Sequence, residues 1–176
     1  MQQLLNMGDP EVDQQRYLQV KENKTAKLFE AACKLAAIIS DQPIEIERAL
    51  AVYGNRLGAA FQIADDVLDY NGEASTMGKN AGDDLAEGKP TLPLILARER
   101  CNGKERELID TAIRNGGAED LNPVLKIIEK TDSIASAMEI ARVHALEARQ
   151  SLRLLPGSPW RVALEQLADY SIDRDH

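Results

Sequence analysis

The sequence is poor in four features, and each shortage closes off a class of protein. There are only two cysteines and two histidines in 176 residues. Cys33 and Cys101 stand at no metal-ligand spacing, which removes a zinc centre and a disulfide framework and leaves two reduced structural thiols. Long apolar runs are missing too: the purest aliphatic stretch lies near Leu92 to Ala97, far below the ~18 to 20 residues that cross a bilayer. No transmembrane segment is expected. Met1 to Asp9 has neither the basic start nor the apolar stretch of a secretory signal, so a cytoplasmic setting is expected. Positive charge is scarce as well, with 21 basic against 29 acidic residues and a formal net charge of -8. That surface repels a phosphate backbone, and no basic stripe with interleaved aromatics offsets it, so nucleic acid is not an expected partner. An anionic substrate would have to be held by divalent metals and a few placed lysines.

What is present describes one soluble domain, residues 1–176, with 44% apolar and 28% charged content. Helical periodicity recurs along the chain, and no run of alternating β-branched residues suggests a sheet, so the fold class is all-α. Asp9 followed by Pro10 reads as a cap and first turn, opening a helix to about Glu22. A second helix is expected over Lys24 to Ser40, with Leu28, Ala31, Ala32, Leu35 and Ile39 as its inner stripe. Pro43 starts a longer helix that extends to about Asn71. The segment Gly72 to Lys89 is glycine-rich and almost free of aliphatic residues, and it reads as a lid-like loop. Pro90 and Pro93 introduce a short apolar helix, and Gly103, the Gly116–Gly117 pair, Pro123 and Thr131 punctuate the helices that follow. Ile134, Met138, Ala141, Ala145, Ala148, Leu152 and Leu155 alternate in steps of four and three, a seam for packing on a neighbouring helix. Ser158 and Pro159 form another cap and first turn, with Trp160, Leu164 and Leu167 as the apolar face of the terminal helix.

The third helix carries the chemistry. A 3.6-residue period places Gln62, Asp65, Asp66 and Asp69 within an arc of roughly 100 degrees, while Leu57, Ala60, Ala64, Val67 and Leu68 take the opposite side. Ordinary solvated faces mix signs at i and i+4, whereas this face is acidic and uncompensated, and like charges so spaced cost stability. Metal binding would supply the missing return. Aspartates at these spacings suit Mg²⁺, which takes oxygen ligands, keeps waters and shares its shell with phosphates. Two like charges at ~4 Å repel by roughly 4 kcal/mol at an effective dielectric of 20, so a diphosphate needs cations between itself and this face.

The segment Gly58-Ala59-Ala60-Phe61-Gln62 through Asp65-Asp66-Val67-Leu68-Asp69 resembles the second aspartate-rich motif of trans-isoprenyl diphosphate synthases. Lys24-Thr25-Ala26 upstream, Gly78-Lys79-Asn80-Ala81-Gly82-Asp83-Asp84-Leu85 and Gly88-Lys89-Pro90-Thr91-Leu92-Pro93 downstream resemble the same family in order and spacing. The tail around Pro159-Trp160-Arg161 is similar to the long-chain bacterial members, especially octaprenyl diphosphate synthases. The resemblance implies a helical bundle of the isoprenoid synthase type and an Mg²⁺-dependent prenyltransferase. Such an enzyme condenses isopentenyl diphosphate with an allylic diphosphate to make a long polyprenyl chain for quinone side chains. It also implies roles: Asp65, Asp66 and Asp69 as the Mg²⁺ site, with Asp65 and Asp69 as ligands and Asp66 in support. Lys24, Lys79 and Lys89 would hold diphosphate oxygens, and Thr25 and Gln62 would orient the ionising substrate. Asp83 and Asp84 stay open between loop closure, support of the ligands, and plain solvation.

The family carries a first aspartate motif as well, Asp-Asp-x-x-Asp followed by paired arginines, which has no counterpart in this sequence. The residues that bind isopentenyl diphosphate and limit product length are expected in the same missing N-terminal helices. The expectation is therefore a C-terminal part of a synthase domain, inactive alone, that associates with itself as a dimer or with the missing half. The alternative is a non-catalytic or complementing subunit of a heteromeric synthase.

Overall fold

The computed structural model describes residues 6–70, 82–116 and 121–173, and every regular element among them is helical. The helix expected to open at Asp9 opens instead on Asp13, whose carboxylate accepts the Arg16 amide at 2.8 Å. Asp9 instead accepts the Glu11 amide at 2.9 Å, closing a turn of its own two residues on. Helix α1 is thus Gln14–Lys21, starting later than the Asp9–Pro10 pair suggests. No break follows it at residue 23. The chain continues through a π-helical turn, Glu22–Ala26, directly into α2, Lys27–Ile39. Next come α3, Ile44–Leu68, and the single turn α4, Asp83–Ala86. Helices α5, Leu92–Arg100, α6, Gly103–Asn115, and α7, Leu121–Lys130, lead to the long α8, Ser133–Ser151. A 3₁₀ turn, Leu152–Leu154, extends α8, and α9 is Pro159–Tyr170. At the start of α9 the Ser158 hydroxyl accepts the Arg161 amide at 3.1 Å and Pro159 occupies the first turn, as the sequence indicates.

The chain divides into two units, Met1–Val20 with Asp65–Met138 and Lys21–Ala64 with Glu139–His176, with boundaries inside α1, α3 and α8. In the first unit α5, α6 and α7 bury Leu94, Ala97, Ile109, Ile113, Val124 and Ile128 in one core, which Tyr70 and Leu85 join. Each fully buried aliphatic side chain there stabilises by about 1.5–3 kcal/mol. Helix α5 has no solvated face between Leu92 and Arg98, so even Arg98 is buried, paired with Asp110 and Glu11. In the second unit Tyr53, Leu57, Ala148, Leu152 and Ala168 form the core, and the Tyr53 hydroxyl donates to the Leu164 carbonyl at 2.8 Å. Ala141, Ala145, Ala148 and Leu152 of the expected α8 seam are indeed buried.

One expected inner face, that of α2, points outward, and that of α9 does so in part, since Leu164 packs on the core while Trp160 and Leu167 are exposed. Leu28 is 69% exposed and Ile39 80%, with Leu35 and Ile38 also exposed, while the side of α2 that packs carries Phe29, Cys33 and Ala37. The apolar periodicity is genuine, but the stripe it marks is left uncovered among the described residues. Trp160 is 81% exposed as well, and α9 buries Ala168 in its place. Both cysteines are free, and burial pushes each thiol above its ordinary value. Among the described residues no helix is long and apolar enough to cross a membrane.

Candidate functional site

The acidic face of α3 is not a solvated one. In the first unit Asp66 is only 3% exposed, and its Oδ2 accepts a hydrogen bond from the buried Tyr17 hydroxyl at 2.7 Å. Burial and the Asp66 charge push the Tyr17 phenol well above its ordinary range, so it stays a donor. Asp69, half-buried just past the end of α3, accepts the Asp84 amide on Oδ2 at 3.1 Å, and its carbonyl accepts the Gly82 amide at 2.9 Å. Burial pushes the Asp69 carboxyl up to about 6, against the pull of the Asp84 amide and with the charges of Asp84 and Asp83 behind it. The expectation of an uncompensated face is corrected in this respect: Asp66 and Asp69 each accept a hydrogen bond, from the Tyr17 hydroxyl and the Asp84 amide, which offsets part of the cost of desolvation.

Asp84 does a second thing. Its carboxylate accepts from the Lys89 ammonium at 2.8 Å, and its carbonyl accepts the Lys89 amide at 2.9 Å. Lys89 also reaches Glu87 at 2.7 Å. Desolvation opposes the Lys89 charge, but the hydrogen bonds to Asp84 and Glu87 outweigh it and hold the ammonium above its ordinary range. A continuous link therefore runs from Asp69 through Asp84 to Lys89. The Asp83 side chain is exposed and acts on Asp69 only through its charge, with its backbone amide helping to hold the carboxylate, whereas the Asp84 side chain carries the link on to Lys89. Gly82 and Gly88 make the turn possible, with φ of 87° and 66°. Gly88 also lies so close to the Ile113 carbonyl that an added Cβ would sit 2.7 Å from it.

In the second unit, Lys24 and Thr25 lie inside the π-helical turn, Lys24 exposed and Thr25 half-buried. Gln62 is half-buried on α3, one turn before Asp66. Lys79 lies outside the described residues, as does most of the expected lid-like loop. Sequence reasoning missed Tyr17 as a partner of the cluster, because it is 49 residues from Asp66. It also missed the π turn, for which Glu-Asn-Lys-Thr-Ala gives no local signal.

The donor set fits a hard cation. Asp65 and Asp69 offer half-buried carboxylate oxygens, the hard donors that such a cation takes. Among the described residues no three His, Cys, Asp or Glu side chains gather into a ready metal shell. Asp66 is turned to Tyr17 and Asp69 to Asp84, which leaves a pattern of few carboxylates. Mg²⁺ tolerates that pattern, since it fills its remaining positions with water and phosphate oxygens.

Residues 1–131 match the family model described as polyprenyl synthetase. The octaprenyl diphosphate synthase of Haemophilus influenzae is 45% identical over 177 residues, covering 100% of this chain and 54% of that protein. The crystal structure of a decaprenyl diphosphate synthase from Rhodobacter capsulatus superposes with a TM-score of 0.91 at 36% identity, over 98% of this chain and 54% of that one. A polyprenyl synthase from Caulobacter crescentus, solved in complex with calcium and isoprenyl diphosphate, gives 0.91 at 39% identity over 98% and 53%. The chain spans about half the length of the curated relatives it matches. A helical fold and this agreement over nearly all its residues have one reading: the chain belongs to the polyprenyl synthetase family.

Proposed function

We propose that this chain contributes one wall of a trans-polyprenyl diphosphate synthase site. The enzyme would be a cytoplasmic prenyltransferase that joins isopentenyl diphosphate to an allylic diphosphate and makes a long-chain, octaprenyl-length product for quinone side chains. The observation that carries the proposal is the link from Asp69 through Asp84 to Lys89, which sets an ammonium group beside the aspartate cluster. Asp65 and Asp69 would hold Mg²⁺, with Asp66 kept in place by Tyr17. Bound there, Mg²⁺ supplies the positive charge that lets a diphosphate approach and depart. Lys89 then offers hydrogen bonds to diphosphate oxygens, in exchange for those it gives Asp84 and Glu87. Lys24 would hold diphosphate oxygens, Thr25 and Gln62 would orient the ionising allylic carbon, and Lys79 would contribute from outside the described residues. Preorganised cations at the atoms where charge develops are the most effective contribution a protein makes to such a step.

The sequence holds no second Asp-Asp-x-x-Asp followed by paired arginines, so the opposite wall must come from other residues. The outward stripe of α2, with Leu28, Leu35 and Ile39, supports association with another polypeptide, either a second copy or one bearing the first motif. Elongation of farnesyl diphosphate with labelled isopentenyl diphosphate tests the proposal. The chain alone is expected to give no turnover. Co-expressed with the remaining half of the Haemophilus influenzae relative it is expected to give turnover that Asp65→Ala abolishes. Turnover by the chain alone, or turnover indifferent to Asp65→Ala, would contradict it.

A further inference from the structure

The turn that carries Lys24 and Thr25 is an unusual one, and the second unit contains a device that holds it. Residues Glu22–Ala26 are π-helical, with the Lys27 amide donating to the Glu22 carbonyl five residues back. Such an inserted residue is unfavourable in isolation and persists only where its surroundings impose it, which is why π turns gather at functional sites. Here α3 presses on the turn at backbone contact. A Cβ added to Gly58 would lie 2.7 Å from the Ala26 Cα, and one added to Gly54 would lie 2.3 Å from the Phe29 carbonyl oxygen. No side chain can be placed at either position unless the two helices part.

Between the glycines stands Asn55. Its amide donates to Glu30 at 2.9 Å and to Glu22 at 3.4 Å, so one side chain ties the residue that opens the π turn to a residue beyond its end. Lys27 pairs with the same two carboxylates, at 2.8 Å and 3.6 Å. The brace is therefore polar on one side of the turn and backbone-on-backbone on the other. Lys24 and Thr25, in the middle, are free of both.

We propose that Gly54, Asn55 and Gly58 are positioning residues: they impose the π-helical turn and through it set where Lys24 and Thr25 meet a diphosphate. This rests on the diphosphate role proposed above for Lys24. None of the three touches the ligand.

The test uses the full chain, with Lys24→Ala, Gly58→Ala and their combination. Two readouts are needed: calorimetric binding of inorganic diphosphate in excess Mg²⁺, and the backbone amide resonances of residues 22–27. Lys24→Ala is expected to weaken binding about tenfold, equivalent to 1.4 kcal/mol. Gly58→Ala is expected to do the same while shifting those amides, and the double variant is expected to lose little more, because the lysine is already misplaced. A merely structural glycine would give additive losses, and additivity overturns the proposal, as do unshifted amides or wild-type binding in Gly58→Ala. If the unaltered chain binds no diphosphate, or Lys24→Ala binds as tightly as wild type, the functional reading of Lys24 fails by itself. The amides then decide whether Gly58 imposes the turn. Asn55→Ala, which adds no clash, serves where Gly58→Ala does not fold; it is expected to lose about threefold, non-additively with Lys24→Ala. Additive loss overturns the proposal in that case too.

Discussion

Replacing Tyr17 with phenylalanine removes one oxygen from the first unit and tests whether the aspartate cluster is held as described. Both partners are buried, Asp66 is only 3% exposed, and the O···O distance is 2.7 Å. A hydrogen bond to a charged acceptor contributes about 1.5–3 kcal/mol, and the phenylalanine ring fills the same space, so little packing loss is added. With a urea dependence of about 2 kcal/mol per M, the midpoint followed by circular dichroism should fall by roughly 1 M. In an Asp66→Asn background the bond becomes neutral and Tyr17→Phe should cost only about 1 kcal/mol. The difference isolates the charged part of the pair. A change below about 0.5 kcal/mol in the wild-type background, the size of an ordinary surface substitution, would refute the reasoning.

Three further outcomes follow from the same geometry. Asp69 is protonated more readily in the fold than in the unfolded chain, since burial raises its carboxyl from 3.8 to about 6. Its neutral form favours folding below pH about 4, and that contribution is lost as pH rises through 6. Mg²⁺ affinity should move oppositely, rising between pH 5 and 7, and a carboxyl carbon titration of Asp69 centred near 4 would count against this. Ser158→Ala removes the cap on α9 and should cost about 1 kcal/mol in thermal unfolding, whereas a change of less than a few tenths would mean the cap is not used. Trp160 is the only tryptophan, so fluorescence reports the outward side of α9 directly. Its emission should be that of water-exposed indole and open to iodide quenching at low protein concentration, and a shielded signal there would contradict the exposure described.

What the sequence made legible is what helical periodicity and local capping control. The middle of the α8 seam, Ala141, Ala145, Ala148 and Leu152, is buried because steps of three and four residues are nearly one turn. Ser158 and Pro159 mark a helix start because their chemistry acts within one turn. Asp9 misled because an aspartate can close a turn on an amide two residues on as well as cap a helix. The stripe of α2 misled for a different reason: periodicity says that an apolar face exists, not what covers it, and among the described residues nothing does. Tyr17 with Asp66, and Gly58 against Ala26, are contacts between residues far apart in sequence, and no local pattern specifies them. The distinction between Asp83 and Asp84 lies in how a single turn after Gly82 aims two adjacent side chains.

The central claim, that α3 offers an Mg²⁺-dependent diphosphate site, is tested most directly by calorimetric titration of inorganic diphosphate into the full chain with and without Mg²⁺. Parallel titrations use Asp65→Ala, whose half-buried carboxylate has no place in the Tyr17 or Asp84 links. Binding that requires Mg²⁺ and falls at least tenfold in Asp65→Ala is predicted. Binding that is indifferent to Mg²⁺, or unchanged by Asp65→Ala, would contradict it.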